Sequence, residues 1–326
     1  MNSNFGNYLK LIKKRRSFVC GIKGHVLSKK EILFIKKYKP WGIILFSRNI
    51  KSLKQTQNLT KSIRKIYNDQ FFPIIIDEEG GRVSRLKNII DNSKFTPEFF
   101  GKIYSRNKNK FKLFLEIYIN QVAYLLKTMG ININSVPVLD IKRKKYHKII
   151  SDRAFSNRPE TISKIGDIVI NTFHEMKILT IMKHIPGHGL AKSDSHKSLP
   201  VVLNKRRYLF KNDFITFKKK KSLMAMSAHV LYKDIDRKNC ATHSENIIKI
   251  IRNQIGFKNI IITDDISMKA LKYSLQINTR KAFSSGCNLV LHCNGKMSEM
   301  LIVGKNSPIL DKFLSKKTSE IYKVLS

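Results

Sequence analysis

Short apolar runs alternate with longer segments of helical patterning along the whole chain. The runs cover 18–22, 42–46, 74–77, 133–138, 179–184, 223–228, 259–263 and 288–293. They are rich in Ile, Val and Leu and apolar throughout rather than at every second position. That pattern suits strands of a parallel sheet, buried on both faces. The segments between them, 28–38, 52–66, 110–129, 159–176, 204–219, 244–255, 267–285 and 307–324, carry apolar residues at helical spacing. Ser28 followed by Glu31 forms a capping-box pattern at the first of these. Eight repeats of strand and helix predict a single-domain α/β fold, a closed (β/α)8 TIM barrel. A doubly wound open sheet is the main competitor, but it usually has fewer strands and a GxGxxG turn after the first. Neither feature is present.

No Pro-, Gly- or Ser-rich linker divides the 326 residues, so one barrel domain is expected over 18–326, behind a basic N-terminal extension at 1–17. Long connections are expected after the third strand (80–97), the fourth (140–158) and the fifth (186–200). Such loops in a compact domain are usually functional or disordered. The basic stretch Lys13–Arg16 precedes an apolar stretch too short for a signal peptide, and no run of about 18 apolar residues exists to span a membrane. Four cysteines without CxxC or metal-type spacing fit reduced thiols in a cytoplasm.

Charge changes the picture only at the surface. Sixty-three Lys and Arg against 23 Asp and Glu leave a formal net charge of +40. The lysines are dispersed over predicted helix faces, and their runs are short. Without a zinc finger or an aromatic-interleaved RNA motif, codon drift explains this better than a nucleic-acid partner. A basic surface would still steer anionic ligands towards the protein.

Candidate chemistry lies at the strand ends, because barrel enzymes carry their catalytic groups at the C-terminal mouth. The third run ends in Asp77-Glu78-Glu79-Gly80-Gly81, with Arg85 beyond. The fourth ends in Asp140, the fifth in Lys183-His184, the sixth near His229 and the seventh in Asp264-Asp265. The loop 183–196 supports two readings. His184, His188 and His196 could ligate a metal, although the spacing is not HExxH. Alternatively His196 is a general acid/base whose ring Asp194 orients. A strand ending in Asp before a helix is often only an N-cap, but two adjacent aspartates allow both jobs. Asp265 then caps the next helix and Asp264 lies in the mouth, where a carboxylate can attack a sugar anomeric carbon. Arg85 and Arg153 offer planar forks for a polar ligand.

These residues together resemble the bacterial β-N-acetylhexosaminidases of glycoside hydrolase family 3. The likeness runs from about Phe18 to Asn294 through GIILFSRN (42–49), DEEGGRVSRL (77–86), SVPVLD (135–140), DRAF (152–155), KHIPGHG (183–189), DSH (194–196), MSAHV (226–230), ITDDISMKAL (262–271) and CNLVLHCN (287–294). It fades beyond about Gly295. The resemblance implies Asp264 as nucleophile, with His196 as proton donor and acceptor oriented by Asp194. It also implies Asp77, Arg85, Arg153, Lys183 and His184 as ligands of an N-acetylglucosamine unit. A His–Asp dyad replaces the second carboxyl of most glycosidases, and neither metal nor cofactor is implied. Glu78 stands where relatives usually carry Gln, and Leu190 where Asp is common.

The implied activity is retaining exo-hydrolysis of terminal β-linked N-acetylglucosamine. In single-barrel relatives the substrate is a peptidoglycan fragment, N-acetylglucosamine linked to 1,6-anhydro-N-acetylmuramic acid, with or without peptide. The expected protein is thus a monomeric cytoplasmic enzyme of cell-wall recycling, its partner a small-molecule muropeptide. Two alternatives remain open: a phosphorylase that passes the sugar to phosphate, and a retired barrel whose basic surface binds RNA or anionic membrane.

Overall fold

The computed structural model describes residues 12–143, 149–195 and 197–326. Eight strands form the predicted closed parallel barrel: β1 (Arg16–Gly21), β2 (Pro40–Leu45), β3 (Ile74–Ile76), β4 (Ile133–Asn134), β5 (Leu179–Ile185), β6 (Met224–Ser227), β7 (Ile260–Asp265) and β8 (Leu289–His292). They pair in chain order, and β8 closes on β1 with Phe18 opposite Val290. β1 starts at Arg16, inside the segment expected to be an extension, and Ile12 and Arg15 are already buried.

The continuous apolar runs resolve into two sets by side-chain parity. Val19, Ile44, Ile75, Ile133, Ile181, Ile262 and Leu289 point into the barrel and pack together. Phe18, Ile43, Ile74, Met182, Ala225, Ile261 and Val290 point outwards, under the helices. Both sets avoid water, which is why no polar alternation appears in the sequence. Each fully buried Ile or Leu contributes about 1.5–3 kcal/mol.

Ten helices cover the barrel among the described residues: α1 (Lys29–Tyr38), α2 (Leu53–Tyr67), α3 (Pro97–Arg106), α4 (Lys108–Thr128), α5 (Pro159–Glu175), α6 (Arg206–Lys211), α7 (Glu245–Ile250), α8 (Leu275–Ser284), α9 (Met297–Asn306) and α10 (Lys312–Leu325). The capping box at α1 forms: Ser28 Oγ accepts from the Glu31 N–H at 3.2 Å, and Glu31 Oε2 accepts from the Ser28 N–H at 2.8 Å.

Several helices differ from expectation. α3 lies between the expected loop at 80–97 and the helix expected from 110, where no element was assigned, although Thr96 caps it and Pro97 begins it, an ordinary helix-start signal. α9 was not foreseen either. The segment 204–219 breaks after α6 into a short 3₁₀ turn at Phe214–Phe217, beside the ion pair of Asp213 with Arg143 at 3.1 Å. A two-stranded parallel ribbon, Val201–Val202 with Leu231–Tyr232, lies outside the barrel.

α10 closes the N-terminal end of the barrel. Leu314, Ile321 and Tyr322 join the interior cluster, and the Trp41 indole N–H donates to Thr318 Oγ1 at 2.9 Å. Beside them the Arg15 guanidinium meets Asp69, whose carboxylate also accepts from the Tyr322 hydroxyl at 2.5 Å. That end is plugged, so a ligand can enter only from the opposite, C-terminal mouth.

Candidate active site

At that mouth a cavity of about 180 Å³ is lined by Asp77, Arg85, Arg153, Lys183, His184 and Asp264, among others. These are the five expected sugar-binding residues and the expected nucleophile, gathered from β5, β7 and the loops after β3 and β4.

One wall is a network of buried charge. Lys183 is 2% exposed, and its Nζ donates to Asp77 Oδ1 and lies 2.6 Å from Glu79 Oε1. Arg153 grips the same Glu79 carboxylate with both prongs, at 2.7 and 2.8 Å. Arg85 Nη2 reaches Asp77 Oδ2 at 3.0 Å. Burial disfavours charge on Glu79, but Arg153 and Lys183 outweigh it and hold the carboxyl well below the usual range. Burial likewise works against the Lys183 ammonium, while Asp77 and Glu79 raise its pKa. Three cations and two carboxylates are therefore fixed before any ligand arrives.

Glu79 carries no role in the expected site, yet it joins the two cations. Its signal was present: in an extended chain Asp77 and Glu79 share a side, and Glu78 faces the other. Glu78 indeed turns away. Its carboxylate accepts from the backbone N–H groups of Arg85 at 2.5 Å and Leu86 at 3.2 Å, and from Ser84 Oγ at 3.0 Å. It pins the loop that presents Arg85, accepting in each of these contacts. Gly80 and Gly81 have φ of 84° and 60°, and a Cβ on Gly80 would lie 2.3 Å from the Phe95 carbonyl oxygen. This turn needs glycine.

On the opposite wall, Asp264 is the penultimate residue of β7. Its Oδ1 accepts from the Asp265 N–H at 2.8 Å. Burial raises the carboxyl pKa, but His229, His184, that N–H and Lys183 bring it below the ordinary value, so the group is an anion near neutrality. Asp265 does not cap the next helix, as was expected. Its Oδ1 closes a turn on Ser267, accepting from the N–H at 3.0 Å and the hydroxyl at 2.8 Å, and Ser274 caps α8 instead. The segment expected to be helical from 267 stays non-helical as far as Ser274, with Ala270 N–H donating to the Ser195 carbonyl at 3.1 Å.

Two further strand-end residues orient this pair of walls. Asp140 Oδ2 lies 2.7 Å from His184 Nδ1, and Oδ1 accepts from the His188 N–H at 2.6 Å. A carboxylate there makes Nδ1 the donor and leaves Nε2 as the free ring nitrogen. His229, fully buried, has Nε2 3.0 Å from the Asp265 carbonyl oxygen and Nδ1 2.8 Å from Thr242 Oγ1. Both were visible as polar residues ending apolar strands, but only their geometry shows what they hold.

The other two expected residues sit on the loop after β5. Asp194 is described and hydrogen-bonded or paired, whereas His196 lies outside the described residues. Ser195, between them, lines the cavity, with its Oγ 3.4 Å from His188 Nε2. Burial, followed by the neighbouring His184, lowers the His188 pKa to about 4. Among the described residues no group of three or more His, Cys, Asp or Glu is arranged to hold a metal ion.

Comparison with known proteins gives the family. Residues 21–316 match the glycosyl hydrolase family 3 N-terminal domain. The chain belongs to glycosyl hydrolase family 3. Within the family its relatives are β-hexosaminidases. That of Nitrosomonas eutropha is 30% identical over 78% of this chain and 73% of its own length. That of Psychromonas ingrahamii is 29% identical over 95% of this chain and 90% of its own. Among solved structures, NagZ from Neisseria gonorrhoeae in complex with N-trifluoroacetyl-D-glucosamine superposes with a TM-score of 0.84 at 25% identity, covering 96% of this chain and 90% of that one. The match passes the point where the motifs fade and takes in α9 and the start of α10. The protein is a glycoside hydrolase with a complete barrel of the family 3 type.

Proposed function

We propose that this barrel is a retaining exo-β-N-acetylglucosaminidase that releases the terminal sugar of peptidoglycan fragments. The observation that carries this is the ionised Asp264 facing the prearranged set of Asp77, Arg85, Arg153, Lys183 and His184 across one small cavity. At about 180 Å³ the cavity falls below the roughly 300–1,000 Å³ of pockets for drug-sized ligands. It suits one sugar ring, with the rest of the glycan outside, and so favours exo cleavage.

In this mechanism the charged wall hydrogen-bonds the hydroxyl and acetamide groups and aligns the ring. The Asp264 carboxylate attacks the anomeric carbon, and His196, oriented by Asp194, protonates the departing glycosidic oxygen. The resulting glycosyl ester is opened by water, from which the same imidazole takes the proton, and the anomeric configuration is restored. The reading of the substrate draws support from the sugar analogue bound to the gonococcal NagZ. The muropeptide leaving group, with its lactyl and peptide carboxylates, suits a chain of net charge +40. Four free thiols fit a reducing compartment, the cytoplasm.

The test is release of the aryl group from an aryl β-N-acetylglucosaminide by wild type and Asp264→Ala, with and without phosphate. Loss of at least about 10³-fold in the variant, with the wild-type rate indifferent to phosphate, is expected. A rate that depends on phosphate would make the enzyme a phosphorylase instead. An active Asp264→Ala would remove the proposed nucleophile.

A further inference from the structure

α3 and α4 carry an unusual pair of adjoining surfaces. The first is an apolar groove of about 470 Å³ between the two helices, lined by Ile90, Phe95, Phe99, Phe114 and Ile117 with no charged residue. Along α4 the stripe continues outwards: Leu113 is 55% exposed, Ile117 58% and Tyr124 64%. Exposed large side chains are ordinary singly, but a continuous patch marks an interaction surface. The second surface lies on the other flank of α3, a depression of about 660 Å³ lined by Lys102, Lys108, Lys142 and Arg158, with Glu98 as its one carboxylate. Glu98 pairs with Lys102 at 3.1 Å and Lys142 at 2.6 Å, so among the described residues four cations face one anion and the depression is positive.

We propose that this face docks the enzyme on an anionic phospholipid bilayer. The two surfaces match the two chemistries of such a bilayer at the spacing of one helix. Aromatic and aliphatic side chains enter the acyl boundary beside ammonium and guanidinium groups that meet headgroup phosphates. A second copy of this chain is a poor occupant, because it would bring a like net charge of +40 against the same positive depression. The attachment is peripheral: among the described residues no helix is long and apolar enough to cross a membrane. It also has a place in the enzyme's geometry. Gly101 of α3 packs directly on the Phe155 carbonyl, in the segment that carries Arg153 to the cavity.

The test is sedimentation of the full chain with vesicles of phosphatidylglycerol and phosphatidylcholine, and with phosphatidylcholine vesicles alone. Binding is expected only to the anionic vesicles, weakening as salt is raised. The triple variant Phe114→Ser, Ile117→Ser, Tyr124→Ser, with all three side chains at least 45% exposed, should bind about tenfold or more weakly with an unchanged thermal melt. Lys102→Glu with Lys108→Glu should weaken it independently. Wild type that ignores anionic vesicles overturns the proposal. So does undiminished binding by the triple variant, which would assign any affinity to scattered lysines. A concentration-dependent dimer that the triple variant abolishes would give the face to a second copy instead.

Discussion

Single side chains at the mouth do two separable jobs, and each predicts its own readout. Asp140 touches no expected ligand position; it fixes the ring of His184 through a 2.7 Å contact. Asp140→Asn should lower kcat/KM on an aryl N-acetylglucosaminide about 10- to 100-fold, the 1.5–3 kcal/mol of one charged hydrogen bond. An unaltered kcat/KM would show that the ring keeps its orientation without the carboxylate. Glu79 is different, because Arg153 and Lys183 would remain buried without it. Glu79→Ala should cost about 3 kcal/mol in urea unfolding, at the lower end for a broken buried pair since Asp77 still holds Lys183. A loss within about 0.5 kcal/mol, the scatter of ordinary surface substitutions, would mean that water or rearrangement replaces it.

At the scale of elements, the helix that matters most to the barrel is the last one. α10 supplies Leu314, Thr318, Ile321 and Tyr322 to the closed end and covers Trp41, which is fully buried. Removing residues 309–326 would expose that indole and strand Arg15 and Asp69 without Tyr322. The truncated chain should lose its near-ultraviolet dichroism and its cooperative thermal transition. A truncation that melts like the full chain would show the barrel to be self-sufficient without its plug. Local signals read well at this scale when a cap and an apolar face agreed, as at Ser28. They failed where a loop competed: Asp265 bends back on Ser267, so the helix expected from 267 begins only at Leu275.

For the whole molecule, the buried imidazoles of His188 and His243 and the half-buried one of His174 set the acid limit. Burial pushes His174, His188 and His243 down to about 4 from 6.5, in His188 and His243 with a further push from a neighbouring histidine. Their folded pKa lies below the unfolded one, so they contribute nothing above about 6.5. As pH falls from there to about 4, the unfolded chain binds protons that the folded one refuses, and stability drops. Each contributes about 1.4 kcal/mol per pH unit within that window. The depressed carboxyls act in the same direction further down, since Glu79, Asp140 and Asp264 stabilise only while ionised. Denaturant midpoints measured between pH 7 and 4.5 should therefore fall steadily. A flat profile would mean that these imidazoles reach water in the folded state.

The architecture was legible along the chain. Eight doubly apolar runs, spaced by helical segments, admit one common closed solution, because neither face of such a strand tolerates water. The mouth was legible too, since polar residues that end apolar strands must emerge at the C-terminal rim, and Asp77, Lys183, His184 and Asp264 meet there. What only the tertiary structure decided is pairwise. That Glu79 rather than Glu78 joins Arg153 to Lys183, that Asp140 holds His184, and that His229 holds the Asp265 carbonyl are contacts between residues 36 to 104 positions apart. Propensity and periodicity describe neighbours along the chain, whereas these partners become neighbours only when the barrel closes.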